Sequence, residues 1–197
     1  MTKKPPNLTN LSQGSVESDR GGAPLQGPVG YEPRPGQIVC GDIGMYIDRH
    51  GAWHYQGSPI ARKELVKLFS TVLRRDEAGA HWLITPVEMA PVRVDDAPYL
   101  AVGMSVDNAG ENQVIRFRTN IDAEVTLSAD HPLRVDIAPE TDEPAPYLAL
   151  DHGLEAKLNR PVFYELVDLA VEVTVEGAHL LGVWSGGDFH PIGKAPA

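Results

Sequence analysis

The residues of this chain best suited to chemistry are arginines set at alternate positions. In "VIRFRTN" (residues 114–120), Arg116 and Arg118 stand two apart, so on a strand both guanidinium groups leave one face while Ile115 and Phe117 leave the other. Two such forks side by side can clamp a phosphate or carboxylate through paired hydrogen bonds. Arg93 and Arg134 have similar settings in "VRVDD" and "LRVDI". A competing use is cross-strand pairing with Asp95, Asp136 or Glu124, carboxylates that a chain with 27 acidic against 17 basic residues supplies freely. Arg62 and Arg160 form a second pair, each near the start of an expected helix, where either a shared cleft or a helix-surface ion pair accounts for them. Trp53, Tyr55, Tyr99 and Trp184 are the aromatic candidates for stacking on a ligand held by these arginines, against their commoner use as core.

Other chemistries find less material. Seven histidines include His50 and His54 four apart, but that pair spans an expected turn, and neither HExxH nor a cysteine cluster accompanies it. "VWSGGD" puts Ser185 before two glycines without the flanks of a nucleophile elbow, and no phosphate-loop signature occurs. Asp95 and Asp96 are adjacent and would point to opposite faces of a strand. An enzymatic reading therefore needs a hydrolase or transferase that brings together Asp95, Asp42 and a histidine, with Mg²⁺ as helper. No catalytic residue, cofactor or metal ligand is assigned from the sequence.

Composition narrows the partners. Among 197 residues, 42% are hydrophobic and 22% charged, which is a globular balance, and the formal charge of -10 repels duplex nucleic acid. The single cysteine, Cys40, cannot form an internal disulfide, and no stretch approaches the roughly 20 apolar residues of a membrane span. These features predict a cytoplasmic protein that does not insert into membranes.

The elements that would position the arginines follow from periodicity. Residues 1–36, rich in Pro, Gly, Ser and Asn, read as a flexible leader. "GMYIDRHGAWHYQG" reads as a hairpin, and Ser58-Pro59 as a helix start ahead of Leu65, Leu68, Phe69, Val72 and Leu73. Gly79-Ala80-His81 recurs as Gly177-Ala178-His179, an offset of 98, and residues 62–84 match 160–182 at six of 23 positions. The second copy contains "AVEVTVEG", a strand pattern of alternating valines, so each copy should run helix, strand, turn, strand. The second helix either kinks at Pro161 or begins there, with Asn159 as its cap. The expected class is α+β: two related, mostly antiparallel units, each with one packed helix. The expected divisions are 37–108 and 109–193, with a tail at 194–197.

The run "CGDIGMYIDRHGAWHYQGSPIARKELVKLFSTVLRRDEAGAHWLITPVE", with "VDDAPYLAV", "IRFRTN", "NRPVFYELV" and "GVWSGG", resembles the bacterial family named domain of unknown function 1285 over about residues 37–193. Arg116 to Asn120 supply its Arg-Phe-Arg-Thr-Asn element. The resemblance implies a duplicated α+β core, a C-terminal half like a pleckstrin-homology barrel, a ligand site between the halves, and nucleotide-dependent signalling. The resulting expectation is a non-enzymatic protein that binds a small anionic, nucleotide-like ligand through Arg62, Arg116, Arg118 and Arg160 and acts on a protein partner. A protein-interaction adaptor or homodimer without a small ligand is the other non-enzymatic alternative, suggested by an exposed strand edge.

Overall fold

The computed structural model describes residues 26–108, 110–138, 142–175 and 177–195. The chain forms two compact units that divide between Asp96 and Ala97. The division falls earlier than the expected 108 because "YLAVGMSVD" is a strand whose two partners both lie further along the chain. The leader boundary also shifts. Residues 1–25 lie outside the described residues, whereas Val29 is already tied to the N-terminal unit: its N–H donates to Asp76 Oδ2 at 3.0 Å and its C=O accepts from Glu77.

In the N-terminal unit, β1 (Ile38–Val39), β2 (Met45–Ile47), β3 (Trp53–Tyr55) and β4 (Ser58–Pro59) precede α1 (Lys63–Ser70). Then come β5 (Leu73–Arg75), β6 (His81–Ile84) and β7 (Glu88–Val94). The sheet runs β4-β3-β2-β7-β6-β5, with β1 on β7. The β2–β3 hairpin is the expected one, closed by Asp48, whose Oδ1 accepts from the N–H groups of His50 and Ala52. Ser58-Pro59 does not start the helix. It pairs with Tyr55 and His54, because a proline with no N–H to donate suits an edge strand, and α1 begins only after Arg62. Met45, Ile47, Trp53, Phe69, Leu73 and Leu83 form the buried face.

In the C-terminal unit, β8 (Tyr99–Asp107), β9 (Val114–Thr119), β10 (Glu124–Thr126), β11 (Leu133–Ile137), β12 (Pro144–Ala149) and β13 (Glu155–Leu158) make a sheet of order β10-β9-β8-β13-β12-β11. After α2 (Arg160–Val167), β14 (Val171–Val175), β15 (Ala178–Ser185) and β16 (Asp188–Lys194) form a three-stranded sheet. Helix α2 starts at Arg160, with Pro161 in its first turn and Asn159 Oδ1 accepting from the Val162 N–H at 3.0 Å. Ile115, Phe117, Leu127, Leu148, Leu158, Leu166 and Val183 enclose one core.

Both units contain the succession of three antiparallel strands, a helix, and three antiparallel strands: β2-β3-β4-α1-β5-β6-β7 and β11-β12-β13-α2-β14-β15-β16. In the first, β2 pairs with β7; in the second, β11 packs beside β16. The sheets are mixed rather than wholly antiparallel, since β1 and β2 run parallel to β7, and β13 runs parallel to β8. They are also open sheets, each strand order having two ends, rather than closed barrels. Gly79 and Gly177 have φ of 86° and 84°, the left-handed conformation that their hairpin turns require. Among the described residues, no helix is long and apolar enough to cross a membrane.

Candidate functional site

Strand β9 alternates as its sequence dictates. Ile115 and Phe117 are fully buried, and Arg116 and Arg118 leave the opposite face. Gly103 on β8 lies across from Arg118, at a register shift in the β8–β9 ladder. A methyl group on Gly103 would stand 3.1 Å from Arg118 Nη2, so the absence of a side chain is what lets the guanidinium lie over β8. Gly103, Ser105, Arg116, Arg118 and Glu124 line a hollow of about 150 Å³.

The two arginines differ in commitment. Arg116 donates to Asp107, and that hydrogen bond, reinforced by the carboxylate's charge, raises its pKa above the ordinary guanidinium value. Arg118 has no hydrogen-bond or ion-pair partner among the described residues, although Glu124 is its cross-strand neighbour. Its five donors are therefore open to a ligand in the hollow.

The N-terminal unit carries a second polar face. Across β3, β2 and β7, His54, Tyr46 and Arg93 are cross-strand neighbours. The Arg93 guanidinium carbon sits 4.1 Å from the Tyr46 ring centroid, and His54 stacks at a tilt on the other side, with centroids 5.3 Å apart. The Tyr46 hydroxyl donates to Asp95, a bond that raises the phenol's pKa. His54 Nε2 is 3.1 Å from Asp48 Oδ2. Desolvation pushes the Asp48 carboxyl up, but hydrogen bonds from the Ala52 N–H, His54 and the His50 N–H outweigh it and hold it below the usual carboxylate range. Beside this row, Asp42, Gly79, His81, Pro91 and Arg93 help line a wider hollow of about 350 Å³. Burial, with the Arg75 charge nearby, lowers His81 to a pKa of about 4, so it is neutral at pH 7.

Comparison with known proteins matches these two units to two family models. The domain of unknown function DUF1285, N-terminal domain, covers residues 34–97, and the DUF1285 C-terminal domain covers residues 98–192. The chain belongs to the DUF1285 family. A crystal structure of a DUF1285 family protein from Silicibacter pomeroyi DSS-3 is similar at 40% identity and a TM-score of 0.74, over 85% of this chain and 91% of that one. Another from Shewanella baltica OS155 is similar at 27% identity and a TM-score of 0.50, over 64% and 91%. No curated protein matches the sequence.

Within the DUF1285 layout, the residues singled out from sequence do not all meet. Arg116 and Arg118 share one hollow of the C-terminal domain. Arg160 pairs with Glu143, which lines a different hollow with Pro146, Lys157 and Phe163. Arg62 is the exposed cap position of α1 in the N-terminal domain, without a side-chain cap bond. Trp53 is 2% exposed, with its ring 6.2 Å from Phe69, and Tyr99 is 3% exposed; both serve the cores of their units. Tyr55 accepts from Gln56 Nε2, and Trp184 contacts Phe189. Of the other strand arginines, Arg134 is paired with Glu155 and Asp136. Asp42 and Asp95 are engaged separately, by the Gly44 N–H and by Tyr46. Among the described residues, no group of three His, Cys, Asp or Glu is arranged to hold a metal ion. Sequence reasoning missed Gly103 and Ser105, though a glycine inside "YLAVGMSV" was itself a sign of close approach in a strand.

Proposed function

We propose that this DUF1285 protein is a non-enzymatic binding protein whose C-terminal unit takes a small anion on the outer face of β8 and β9. Arg118 is the principal contact, with Arg116 and the Ser105 hydroxyl beside it. The observation that carries the reading is the uncommitted Arg118 guanidinium laid over Gly103 in a lined hollow. In an acidic chain that supplies Asp107, Glu143 and Glu155 to other arginines, a guanidinium left without a carboxylate is a donor set held for an external anion. The hollow is sized for a phosphate or carboxylate group, so a nucleotide would enter by its phosphate and leave its base outside. Signalling to a protein partner is the role proposed for such binding. The pleckstrin-homology-like description of this unit belongs to the same proposal, supported by two sheets and one helix around a single core.

Calorimetric titration with inorganic phosphate, acetate and a nucleoside triphosphate tests the reading. Binding of a phosphate-bearing ligand should weaken at least tenfold in Arg118→Ala. In Gly103→Ala, whose methyl displaces the guanidinium, binding should weaken with little loss of stability. No binding of any of the three, or binding indifferent to Arg118→Ala, overturns it.

A further inference from the structure

Each strand order has two end strands, the two-residue β1 adds an edge beside β7, and most of these are blunted. Strand β4 is two residues long and contains Pro59; β5 is three residues with Arg74 and Arg75; β10 is three residues; β11 and β16 pack beside each other. Short strands, prolines and charged side chains are the usual guards against edge pairing. Strand β14 has one of these, the single charge of Glu172. It is five residues, Val171-Glu172-Val173-Thr174-Val175, with Val171 and Val175 43% and 40% exposed, and among the described residues no strand pairs with its outer side.

The ladder fixes which groups that edge offers. Val175 pairs with Ala178 across a two-residue connection, so these two exchange both hydrogen bonds of the narrow pair. By alternation Val171, Val173 and Val175 bond toward β15, and the N–H and C=O of Glu172 and Thr174 point outward. A second β14 running antiparallel can meet those groups in three registers. Centring on residue 172 sets Glu172 against Glu172, and centring on 174 leaves Glu172 beyond the end of the partner strand at Val175, so that only the Thr174 pair bonds. Centring on Val173 sets Glu172 against Thr174 twice, Val171 against Val175 twice, and Val173 against itself. That register makes four backbone hydrogen bonds, joins six valines on one face and opposes no like charges directly.

We infer that a second copy of this chain covers this edge, joining two three-stranded sheets into one six-stranded sheet about a two-fold axis through Val173. The occupant follows from the self-complementary pattern of valine, glutamate and threonine, and the inference is independent of anion binding at Arg118. It supplies the protein-partner alternative with a specific surface.

Light scattering across a concentration series should give a mass twice that of one chain, falling to that of one chain on dilution. Thr174→Pro removes an outward N–H that β15 does not use, so it should leave a monomer at every concentration, with the unfolding midpoint that the unsubstituted chain shows when diluted to a monomer. In a Cys40→Ser background, Val173→Cys should form a disulfide-linked dimer on mild oxidation, because the pair at the axis is a non-hydrogen-bonded one with Cα atoms about 4.5 Å apart, within disulfide reach. Val171→Cys and Val175→Cys should each fail to cross-link alone and should cross-link when mixed. A monomer at every concentration, the result if the chain's own residues 1–25 covered the edge, overturns the inference. So does a dimer that persists in Thr174→Pro or one that Val173→Cys does not cross-link.

Discussion

The hairpins β5–β6 and β14–β15 share a Gly-Ala-His sequence and a helix in front, yet they are built differently. In the first, Asp76 is 8% exposed and ties the turn together: Oδ1 accepts from the Ala80 N–H at 2.8 Å, and Oδ2 accepts from the Val29 N–H and Trp82 Nε1, both at 3.0 Å. In the second, the matching position is Thr174, whose hydroxyl reaches only the exposed His179. The strand pairing shifts with this exchange. Arg75 is the last paired residue with His81 in the first, leaving five residues between them, whereas Val175 pairs with Ala178 in the second, leaving two, so the connection shortens by three residues. The first hairpin thus carries stability and ends in an arginine-guarded edge, and the second carries little and leaves its edge open. A duplicated frame can divide its work when one copy holds the buried polar network and the other the free surface.

The comparison is broken most severely by removing Asp76. Asp76→Ala strands three donors, one of them the buried Trp82 Nε1–H, and should cost about 2–4 kcal/mol in denaturant unfolding. Thr174→Val at the equivalent place should stay within about 0.5 kcal/mol. Equal losses would show that the two hairpins are energetically alike.

His81 makes the first hairpin sensitive to pH. His81 is neutral in the fold because burial holds its pKa near 4, below the ordinary 6.5, so the unfolded chain takes up its proton first. Its contribution is complete above about pH 6.5 and is lost as pH falls toward 4, on the order of 1–2 kcal/mol after allowing for part exposure. His190, also lowered by burial, adds in the same direction. For Asp76, desolvation acts upward, but hydrogen bonds from the Val29 and Ala80 N–H groups and from Trp82 outweigh it, so its contribution survives to lower pH and fades only below the ordinary carboxylate value. His81→Gln should flatten the unfolding midpoint between pH 6.5 and 4.

The smallest expected effects lie at the helix starts. Asn159→Ala removes the α2 cap and should cost about 1 kcal/mol. Arg62, extended at the α1 cap position without a cap bond, should give back about 0.5–1 kcal/mol as Arg62→Asn. A thermal melt in which both changes destabilise would refute the capping account of the difference between the helices.

Local patterns made much of this legible. The β2–β3 hairpin, the Asn159 cap, the glycine turns and the alternation of β9 are all set by neighbours a few residues apart. The candidate site was half legible: "VIRFRT" announced two arginines on one face, but Arg118's freedom depends on Asp107 taking Arg116 and on Gly103 lying opposite. For Arg160 the sequence left both a cleft and an ion pair open, because its partner Glu143 comes from the loop ahead of β12 rather than from a neighbouring position. Trp53 and Tyr99 take the commoner use as core, which the sequence left beside stacking because an aromatic on an alternating strand reads the same whether its face turns inward or outward.

The sequence by itself determined two helices in a strand-rich chain, the repeated Gly-Ala-His hairpins, the family, and the arginine face of β9, since each is a matter of composition or short-range period. The tertiary structure alone decided that β8 belongs to the second unit, that parallel pairs join β2 to β7 and β8 to β13, which of the two β9 arginines is taken by a carboxylate, and that β14 ends its sheet. Those outcomes depend on register and pairing between segments tens of residues apart, where a one-residue slip exchanges inner for outer side chains and no local pattern fixes the choice.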